Sequence, residues 1–218
     1  MAECRLALAM ALDISSSVDA TEDALQRGGV AAALRAPEVQ DAFLASPRAV
    51  AITVYEWSGR YNQNVILGWR LIRSRSDLEQ AADIIQSSKR SHNDFPTAMG
   101  YALGFGANLF KEGPSCDART IDMAGDGQNN EGFGPSQAYG AFPFEGVTVN
   151  GLVVNGADFE AETGLIAFYK AEVIRGPGAF LEIAQGFDDY ARAMRRKLLR
   201  EVSPPVIGGA PTPKGTRG

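Results

Sequence analysis

Five oxygen-bearing side chains in separate stretches of the sequence have the types and spacing of a divalent-cation site. Asp13, Ser15 and Ser17 alternate within DISSS, Thr97 follows much later, and Asp126 lies in AGDGQNNEG. Two carboxylates that share a crevice repel each other and are poorly solvated, and a hard cation relieves both effects. Mg²⁺ takes about six oxygen ligands and usually keeps several waters. We expect the serine hydroxyls to bind the ion directly while the carboxylates hold its waters, which leaves a position open for a partner's carboxylate.

Each of these features has an ordinary structural explanation when it is considered alone. DISSS is more often a loop or a cap, a DG pair in a loop is usually a turn, and a threonine such as Thr97 is by default a helix N-cap. The combination is more specific, because D-x-S-x-S follows the first strand, the threonine opens the helix before the fourth, and D-G follows the fourth.

Composition limits the chemistry that the chain can perform. Its 218 residues, 45% hydrophobic and 22% charged, are typical of one globular domain. A net charge of −5 argues against a nucleic-acid partner. Two cysteines and one histidine are too few for a Cys/His zinc cluster, no G-x-S-x-G is present, and His92 is expected to be a loop residue. No apolar run approaches the roughly 18 residues of a membrane span.

Apolar runs alternate with helical patterns along the chain, which predicts an α/β domain. Strands are predicted at 6–12, 49–57, 64–72, 119–125, 147–154 and 179–184. Helices are predicted at 22–34 (capped by Thr21), 37–45, 76–88, 97–110, 135–142, 162–174 and 187–202. Only SGRYNQ links the second and third strands, which is too short for a parallel crossover. The sequence therefore predicts a doubly wound, mostly parallel six-stranded sheet with one antiparallel edge strand and helices on both faces.

The proposed ligands fall where such a sheet binds ligands, outside the carboxyl ends of the strands at the point where the strand order reverses. With the order 3-2-1-4-5-6, the first and fourth strands are neighbours there. Asp13 ends the first strand and Asp126 lies just past the fourth, so both face one crevice. Thr97 precedes the helix that leads into the fourth strand and approaches the crevice from above.

The two ends of the chain and the last helix give weaker signals. Arg5 followed by residues 6–12 could be read as a short secretory signal, but no small-residue cleavage pattern follows, and we favour a buried strand. Residues 4–202 are expected to form the domain and the Pro/Gly-rich residues 203–218 a flexible tail. The basic residues of the last helix are expected to be a solvated face, namely Arg192, Arg195, Arg196 and Arg200.

The proposed ligand set resembles the metal-ion-dependent adhesion site of the von Willebrand factor A fold, which also occurs in integrin inserted domains. The D-x-S-x-S motif of that site is matched by Asp13, Ser15 and Ser17. TAMGYAL is similar to the T-x-T-G-x-A-L pattern, with Thr97 as the metal-site threonine and Met99 in place of the second one. Asp126 matches the final D-G aspartate, and the order of elements agrees from about residue 4 to 202.

Further stretches resemble an uncharacterised bacterial branch of this superfamily, whose members generally carry export signals. These stretches are EWSG (56–59), TIDMAGDGQNN (120–130), VNGLVV (149–154) and GPGAF (176–180). The resemblance implies a non-enzymatic, adhesion-type module that is periplasmic or secreted, with its export signal expected to be absent from this sequence. It implies Mg²⁺, or Mn²⁺ or Ca²⁺, as the cofactor, and another protein as the partner, whose Asp or Glu completes the coordination.

Loop residues near the proposed ion are candidates for contact with that partner. They carry carboxylate, aromatic and amide groups: Glu56, Trp57, Gln128, Asn129 and Phe133. Trp57 could equally be a core residue.

The two cysteines are placed to form a disulfide. Cys4 immediately precedes the first strand, and Cys116 lies three residues before the fourth. If these strands are parallel neighbours, both thiols lie at the end of the sheet opposite the metal crevice. We expect the bond, which needs Cα atoms within about 7 Å and would indicate an oxidising compartment. Two buried, reduced thiols are the alternative.

An enzymatic alternative is a Mg-dependent phosphatase like the haloacid dehalogenases. GDGQNN (125–130) resembles the G-D-G-x-N-D motif of that family, and DIS (13–15) partly resembles its D-x-D start. Ser15, however, falls where the general acid/base aspartate belongs, and Asn130 replaces the last acid. A dinucleotide-binding protein is less favoured still, because no G-x-G-x-x-G follows the first strand.

Overall fold

A six-stranded sheet forms the centre of the molecule. The structure is a computed structural model, and it describes residues 2–156 and 159–203. For residues 159–163 it describes the backbone alone. The strand order is β3-β2-β1-β4-β5-β6. The strands are β1 (Cys4–Asp13), β2 (Val50–Trp57), β3 (Gln63–Ile72), β4 (Cys116–Gly125), β5 (Val147–Val154) and β6 (Leu181–Ala184). Only the β2–β3 pairing is antiparallel, which confirms the predicted sheet and its edge strand.

Seven α-helices cover the two faces of the sheet in the part of the chain that the structure describes. They are α1 (Ala20–Arg35), α2 (Pro37–Leu44), α3 (Arg75–Ser87), α4 (Met99–Leu109), α5 (Pro135–Ala141), α6 (Phe159–Phe168) and α7 (Tyr190–Val202). Helix α6 continues as a π-helical turn, Tyr169–Val173, and a 3₁₀ turn precedes α7. Each predicted helix is present, with ends that differ by a few residues. The tail predicted at 203–218 lies outside the described residues from 204 onward.

The predicted cap of α1 is wrong. Asp19, not Thr21, is the N-cap, since its Oδ1 accepts from the backbone N–H groups of Thr21 at 2.7 Å and Glu22 at 2.8 Å. Glu22 completes the capping box by accepting from the N–H of Asp19 at 2.8 Å. The physical reason is that a cap residue has extended backbone, as Asp19 does, while Thr21 already lies within the first helical turn.

The alternation of side chains in β1 divides the core between the two faces of the sheet. Leu8, Met10 and Leu12 face the layer that contains α1, α3 and α7. The smaller Ala9 and Ala11 face α4 on the other side, where close approach of the helix needs glycine. A Cβ at Gly106 would lie 2.5 Å from the hydroxyl of Tyr55. The glycines of α4 therefore permit close packing of the helix against the sheet.

A disulfide joins the amino ends of β1 and β4. Cys4 and Cys116 are register partners, with their Cα atoms 4.5 Å apart, so the predicted bond is confirmed. It lies at the end of the strands opposite Asp13 and Asp126. With a sequence separation of 112, the chain-entropy model gives a stabilisation of about 5 kcal/mol.

A lysine on α7 is buried in the core, which the sequence analysis did not foresee. The predicted arginines are exposed, but Lys197 is 0% exposed. Its Nζ lies 2.7 Å from Oδ1 of Asp122 on β4 and 2.5 Å from Oε1 of Glu201. One cation thus faces two buried carboxylates. Burial, together with the Glu201 carboxylate, raises the pKa of Asp122 to about 7 in spite of the opposing effect of Lys197.

Asp122 should make the folded protein less stable as the pH rises from about 4 to 7. Because its pKa is about 7 when folded and 3.8 as a model value, the native chain binds the extra proton in this range. One group changes the free energy of unfolding by at most about 1.4 kcal/mol per pH unit. Asp122→Asn should reduce the slope, measured by urea unfolding between pH 4.5 and 7.5.

The matched control for this measurement is Asp117→Asn, an exposed carboxyl of the same strand. It should keep the wild-type slope. If the free energy of unfolding depended on pH equally in wild type and Asp122→Asn, the prediction that Asp122 is protonated in the folded protein at these pH values would be contradicted.

Candidate metal centre

The loop that follows β1 is shaped by its own polar groups. We call residues 13–18 the metal loop. The backbone N–H of Ser15 donates to Oδ1 of Asp13 at 2.7 Å, and the hydroxyls of Ser15 and Ser17 lie 3.0 Å apart. Alternation along the loop therefore brings the two serine oxygens to the same side as the Asp13 carboxylate, as the D-x-S-x-S spacing predicted.

The fourth strand brings Asp126 to this loop. The hydroxyl of Ser17 donates to Oδ1 of Asp126 at 2.6 Å, across a sequence separation of 109. Thr97 faces the same space: its Oγ1 lies 3.5 Å, and Ser17 Oγ 3.9 Å, from the point where a Cβ on Gly127 would stand. The structure thus brings together the five predicted oxygen donors, at the carboxyl ends of β1 and β4.

The charges of this cluster are poorly compensated. Asp13 is fully buried, and its Oδ2 has no hydrogen-bond partner among the residues that the structure describes. Burial, followed by the neighbouring Asp126 carboxylate, raises the pKa of Asp13 to about 7. Burial also raises the pKa of Asp126, and Glu22 adds to that effect. An unpartnered buried carboxylate oxygen is costly, and a divalent cation would supply the missing positive charge.

The donor set fits a hard cation. Within the described residues, no group of three or more His, Cys, Asp or Glu side chains is arranged to hold a metal. A metal at this site would therefore depend on the hydroxyls of Ser15, Ser17 and Thr97 besides the two carboxylates. Oxygen donors of this kind suit Mg²⁺, Mn²⁺ or Ca²⁺ better than softer ions.

Thr97 is not the cap of α4, so its hydroxyl is not committed to the helix. The N-cap position is Ala98, and Oδ1 of Asn129 accepts from the N–H of Met99 at 2.8 Å in place of a cap side chain. Oδ1 of Asn130 accepts from the N–H of Thr97 at 2.8 Å. The two asparagines after the D-G pair therefore fix the start of α4 against the loop that carries Asp126.

Arg90 holds the metal loop from the side opposite β4, and the sequence analysis missed it. Its guanidinium donates to backbone carbonyl oxygens of that loop, namely those of Ile14 at 2.8 Å, Ser15 at 3.0 Å and Val18. It also donates to the carbonyl of His92 at 2.6 Å, which anchors it in its own loop. The contacts between Arg90 and the metal loop span more than 70 residues of sequence, so no local pattern could have indicated them.

Tyr169 is a second buried group that the sequence did not single out. A Cβ on Gly125 would lie 2.8 Å from both the Tyr169 hydroxyl and Oδ2 of Asp13, so the two oxygens share one small space. The hydroxyl has no hydrogen-bond partner, and burial, with the nearby Asp13, raises its pKa. The phenol therefore stays neutral and provides a donor close to the unpartnered carboxylate oxygen.

Two of the predicted partner contacts are buried in the structure, and their contact with a partner stays a prediction. Glu56 and Trp57 are completely buried, because they end the interior strand β2 and do not belong to the loop beyond it. Glu56 is paired with Arg27 and accepts from the N–H of Ser91 at 3.2 Å. Trp57 is a core residue, which was the alternative that the sequence left open.

The other three predicted contacts differ in how available they are. Gln128 is exposed, whereas Asn129 and Phe133 are half-buried. Asn129 is occupied at the start of α4, and the ring of Phe133 stacks on Tyr101 with their centroids 4.1 Å apart. Their contact with a partner stays a prediction.

Comparison with known proteins places these features in context. The sequence profile of a family described as "Protein of unknown function (DUF1194)" matches residues 3–206. No curated protein matches the chain. Proximal thread matrix protein 1 from the mussel byssus has a TM-score of 0.63 and 18% identity, over 92% of this chain and 48% of its own. That protein is also known "with zinc occupied MIDAS motif", at a TM-score of 0.62 and 15% identity, over 91% and 48%.

Two bacterial structures are similar as well. A von Willebrand factor type A structure from Catenulispora acidiphila has a TM-score of 0.55 and 17% identity, over 91% of this chain and 43% of that one. The pilus adhesin SpaC from Lactobacillus rhamnosus GG has a TM-score of 0.62 and 13% identity, over 91% and 30%. At these identities the likeness concerns the fold alone, and it confirms the resemblance to von Willebrand factor A domains. The chain spans about half the length of the mussel protein and less of the other two.

Removing the Arg90 guanidinium should weaken metal binding without unfolding the domain. Arg90→Met keeps an unbranched apolar stem but removes three hydrogen bonds to the metal loop, each worth about 1 kcal/mol. We expect Mn²⁺ to bind about tenfold more weakly in titration calorimetry.

Lys89→Met is the matched control, since Lys89 is the exposed neighbour of Arg90. It should bind Mn²⁺ as the wild type does. Equal Mn²⁺ affinity in Arg90→Met and wild type would remove Arg90 as a positioning residue.

Proposed function

We propose that this chain, which belongs to the DUF1194 family of proteins of unknown function, is a divalent-metal-dependent, protein-binding module of the adhesion type. The observation that carries the proposal is the cluster of Asp13, Ser15, Ser17, Thr97 and Asp126 at one edge of the sheet, in which Oδ2 of Asp13 is buried without a partner.

In this proposal the chain's own residues hold Mg²⁺, or Mn²⁺ or Ca²⁺, and leave room for one more ligand. The hydroxyls of Ser15 and Ser17 bind the ion, while Asp13, Asp126 and Thr97 hold it or its waters. Because few bound groups carry a full charge, the ion when present supplies a strongly electrophilic position. An Asp or Glu of another protein occupies that position.

Two further observations support a binding role over an enzymatic one. Ser15 stands where a phosphatase of the haloacid dehalogenase type needs a carboxylic acid, and its hydroxyl is engaged with Ser17. Similar structures include a pilus adhesin and a byssal matrix protein, one form of which has a zinc-occupied adhesion motif. We therefore propose that the module is non-enzymatic.

A location outside the cytoplasm, periplasmic or secreted, belongs to the same proposal. The Cys4–Cys116 disulfide is the supporting feature, because such bonds persist in oxidising compartments. None of the described helices is long and apolar enough to cross a bilayer. We propose residues 4–202 as the module and the Pro/Gly-rich residues after it as a linker-like tail.

Titration calorimetry on protein stripped with EDTA tests the metal site. Mg²⁺ and Mn²⁺ should give a saturable heat with wild type, and Asp126→Ala should lose it, because the variant removes one of two carboxylates from the cluster. Glu112→Ala, an exposed acid away from the cluster, is the control and should bind as wild type. Equal heats in wild type and Asp126→Ala would remove the site as drawn.

Selection of random displayed peptides in Mn²⁺ tests the partner chemistry. Peptides that bind the wild type and elute with EDTA should share an Asp or Glu. Changing that residue to Asn or Gln should abolish binding, because an amide oxygen carries no charge for the open metal position. Peptides that bind equally well in EDTA, or whose shared acid is replaceable by its amide, would contradict a partner carboxylate on the metal.

A further inference from the structure

A cleft opens beside the metal centre, and of the five proposed metal ligands Asp126 is in its described lining. The loops that follow β4, β5 and β6 enclose a volume of about 660 Å³, within the range of small-ligand pockets. Asp126 lies at its boundary, so the cleft and the metal centre share a wall. The other side chains that the argument uses are Glu22, Asn155, Leu165 and Phe187.

Much of the wall is glycine backbone, which keeps the cleft open. Gly127, Gly156, Gly164 and Gly186 all line it. Gly156 and Gly186 belong to neighbouring loops, and a Cβ on Gly156 would stand 3.7 Å from the Cα of Gly186. Gly186 has φ +78° and donates to the carbonyl of Asn155 at 3.0 Å, so the turn that shapes this wall requires glycine.

A buried amide oxygen and two carboxylates make the wall of the cleft rich in hydrogen-bond acceptors. Asn155 is only 6% exposed, and its Oδ1 accepts no hydrogen bond from any residue that the structure describes. The charged residues among the described lining are Glu22 and Asp126, and both are acidic. An unsatisfied buried acceptor is unfavourable, and a ligand that donates a hydrogen bond would remove that cost.

We propose that this cleft takes a lysine or arginine side chain of the same partner that places its Asp or Glu on the metal. The inference rests on the proposed function, and it adds a basic residue to the partner's recognition motif. Leu165 and Phe187 would pack against the aliphatic stem of that side chain. Its charged head would donate to Oδ1 of Asn155 and face Glu22, whose charge remains when Asp126 is engaged with the metal.

The test uses N-acetyl-arginine methylamide and N-acetyl-lysine methylamide as probes, added to ¹⁵N-labelled protein in EDTA. At least one probe should cause saturable shifts of the amide signals of Gly127, Gln128, Gly156 and Gly186. N-acetyl-citrulline methylamide has nearly the shape of the arginine probe but no charge, and it should bind at least tenfold more weakly than that probe.

Two variants separate the cleft from general surface charge. Glu22→Gln should weaken the probe at least threefold while it preserves helix α1, because glutamine also completes a capping box. Asn155→Leu removes the unpartnered acceptor and should weaken it as much. Asp188→Asn, an exposed acid next to Phe187 but outside the lining, should bind the probe as wild type does.

The outcomes distinguish this inference from the proposed function. The probes are measured without metal, so a failure of the metal site leaves their shifts unchanged. Absence of shifts at the cleft amides, citrulline binding equal to arginine binding, or equal losses in Glu22→Gln and Asp188→Asn would each overturn the cationic subsite, even if the metal titration succeeds.

Discussion

The structure depends on one electrostatic constraint, the close approach of two carboxylates. Burial and mutual repulsion make it unfavourable for both Asp13 and Asp126 to be ionised unless a cation is present. Asp13 ends the central strand, with one oxygen bound by the Ser15 amide and the other left without a partner. Asp126 stands beside it, held by the Ser17 hydroxyl. A core of apolar side chains does not need such a pair, and the repulsion opposes folding. The fold keeps the pair in place through contacts on every side.

Those contacts come from loops that are far apart in the chain but close in the sheet. Arg90 binds the carbonyls of the metal loop, and Asn129 and Asn130 fix the start of α4 so that Thr97 faces Asp126. The sheet makes this possible because β1 and β4 are parallel neighbours that end at the same edge. The disulfide ties their opposite ends. These contacts hold the five oxygen donors in one arrangement, and preorganisation of this kind would reduce the ordering that the proposed binding of an ion requires.

The sequence predicted the fold and the proposed metal ligands better than it predicted the residues that surround those ligands. Continuous apolar runs identified the strands, and the short SGRYNQ connection required the antiparallel edge. The strand order 3-2-1-4-5-6 was an assumption, which the structure confirms. Local patterns failed where two readings compete, as between Asp19 and Thr21 for the cap of α1. The strand at 49–57 was predicted correctly, but the sequence did not show that its last two residues, Glu56 and Trp57, are fully buried. Arg90, Asn155 and Lys197 act through contacts with residues distant in the chain, which no single-sequence pattern encodes.

The bond between Cys4 and Cys116 affects how the molecule responds to proteolysis. It closes the chain into a covalent ring that contains Asp13, Ser15, Ser17 and Thr97. The tip of the β2–β3 hairpin, with the highly exposed Tyr61, is inside that ring. A protease that cuts the hairpin tip once would open the ring but release no fragment, since both new ends stay attached through sulfur. All five oxygen donors therefore stay within one connected molecule after a single cut, because Asp126 follows Cys116 in the same segment of chain.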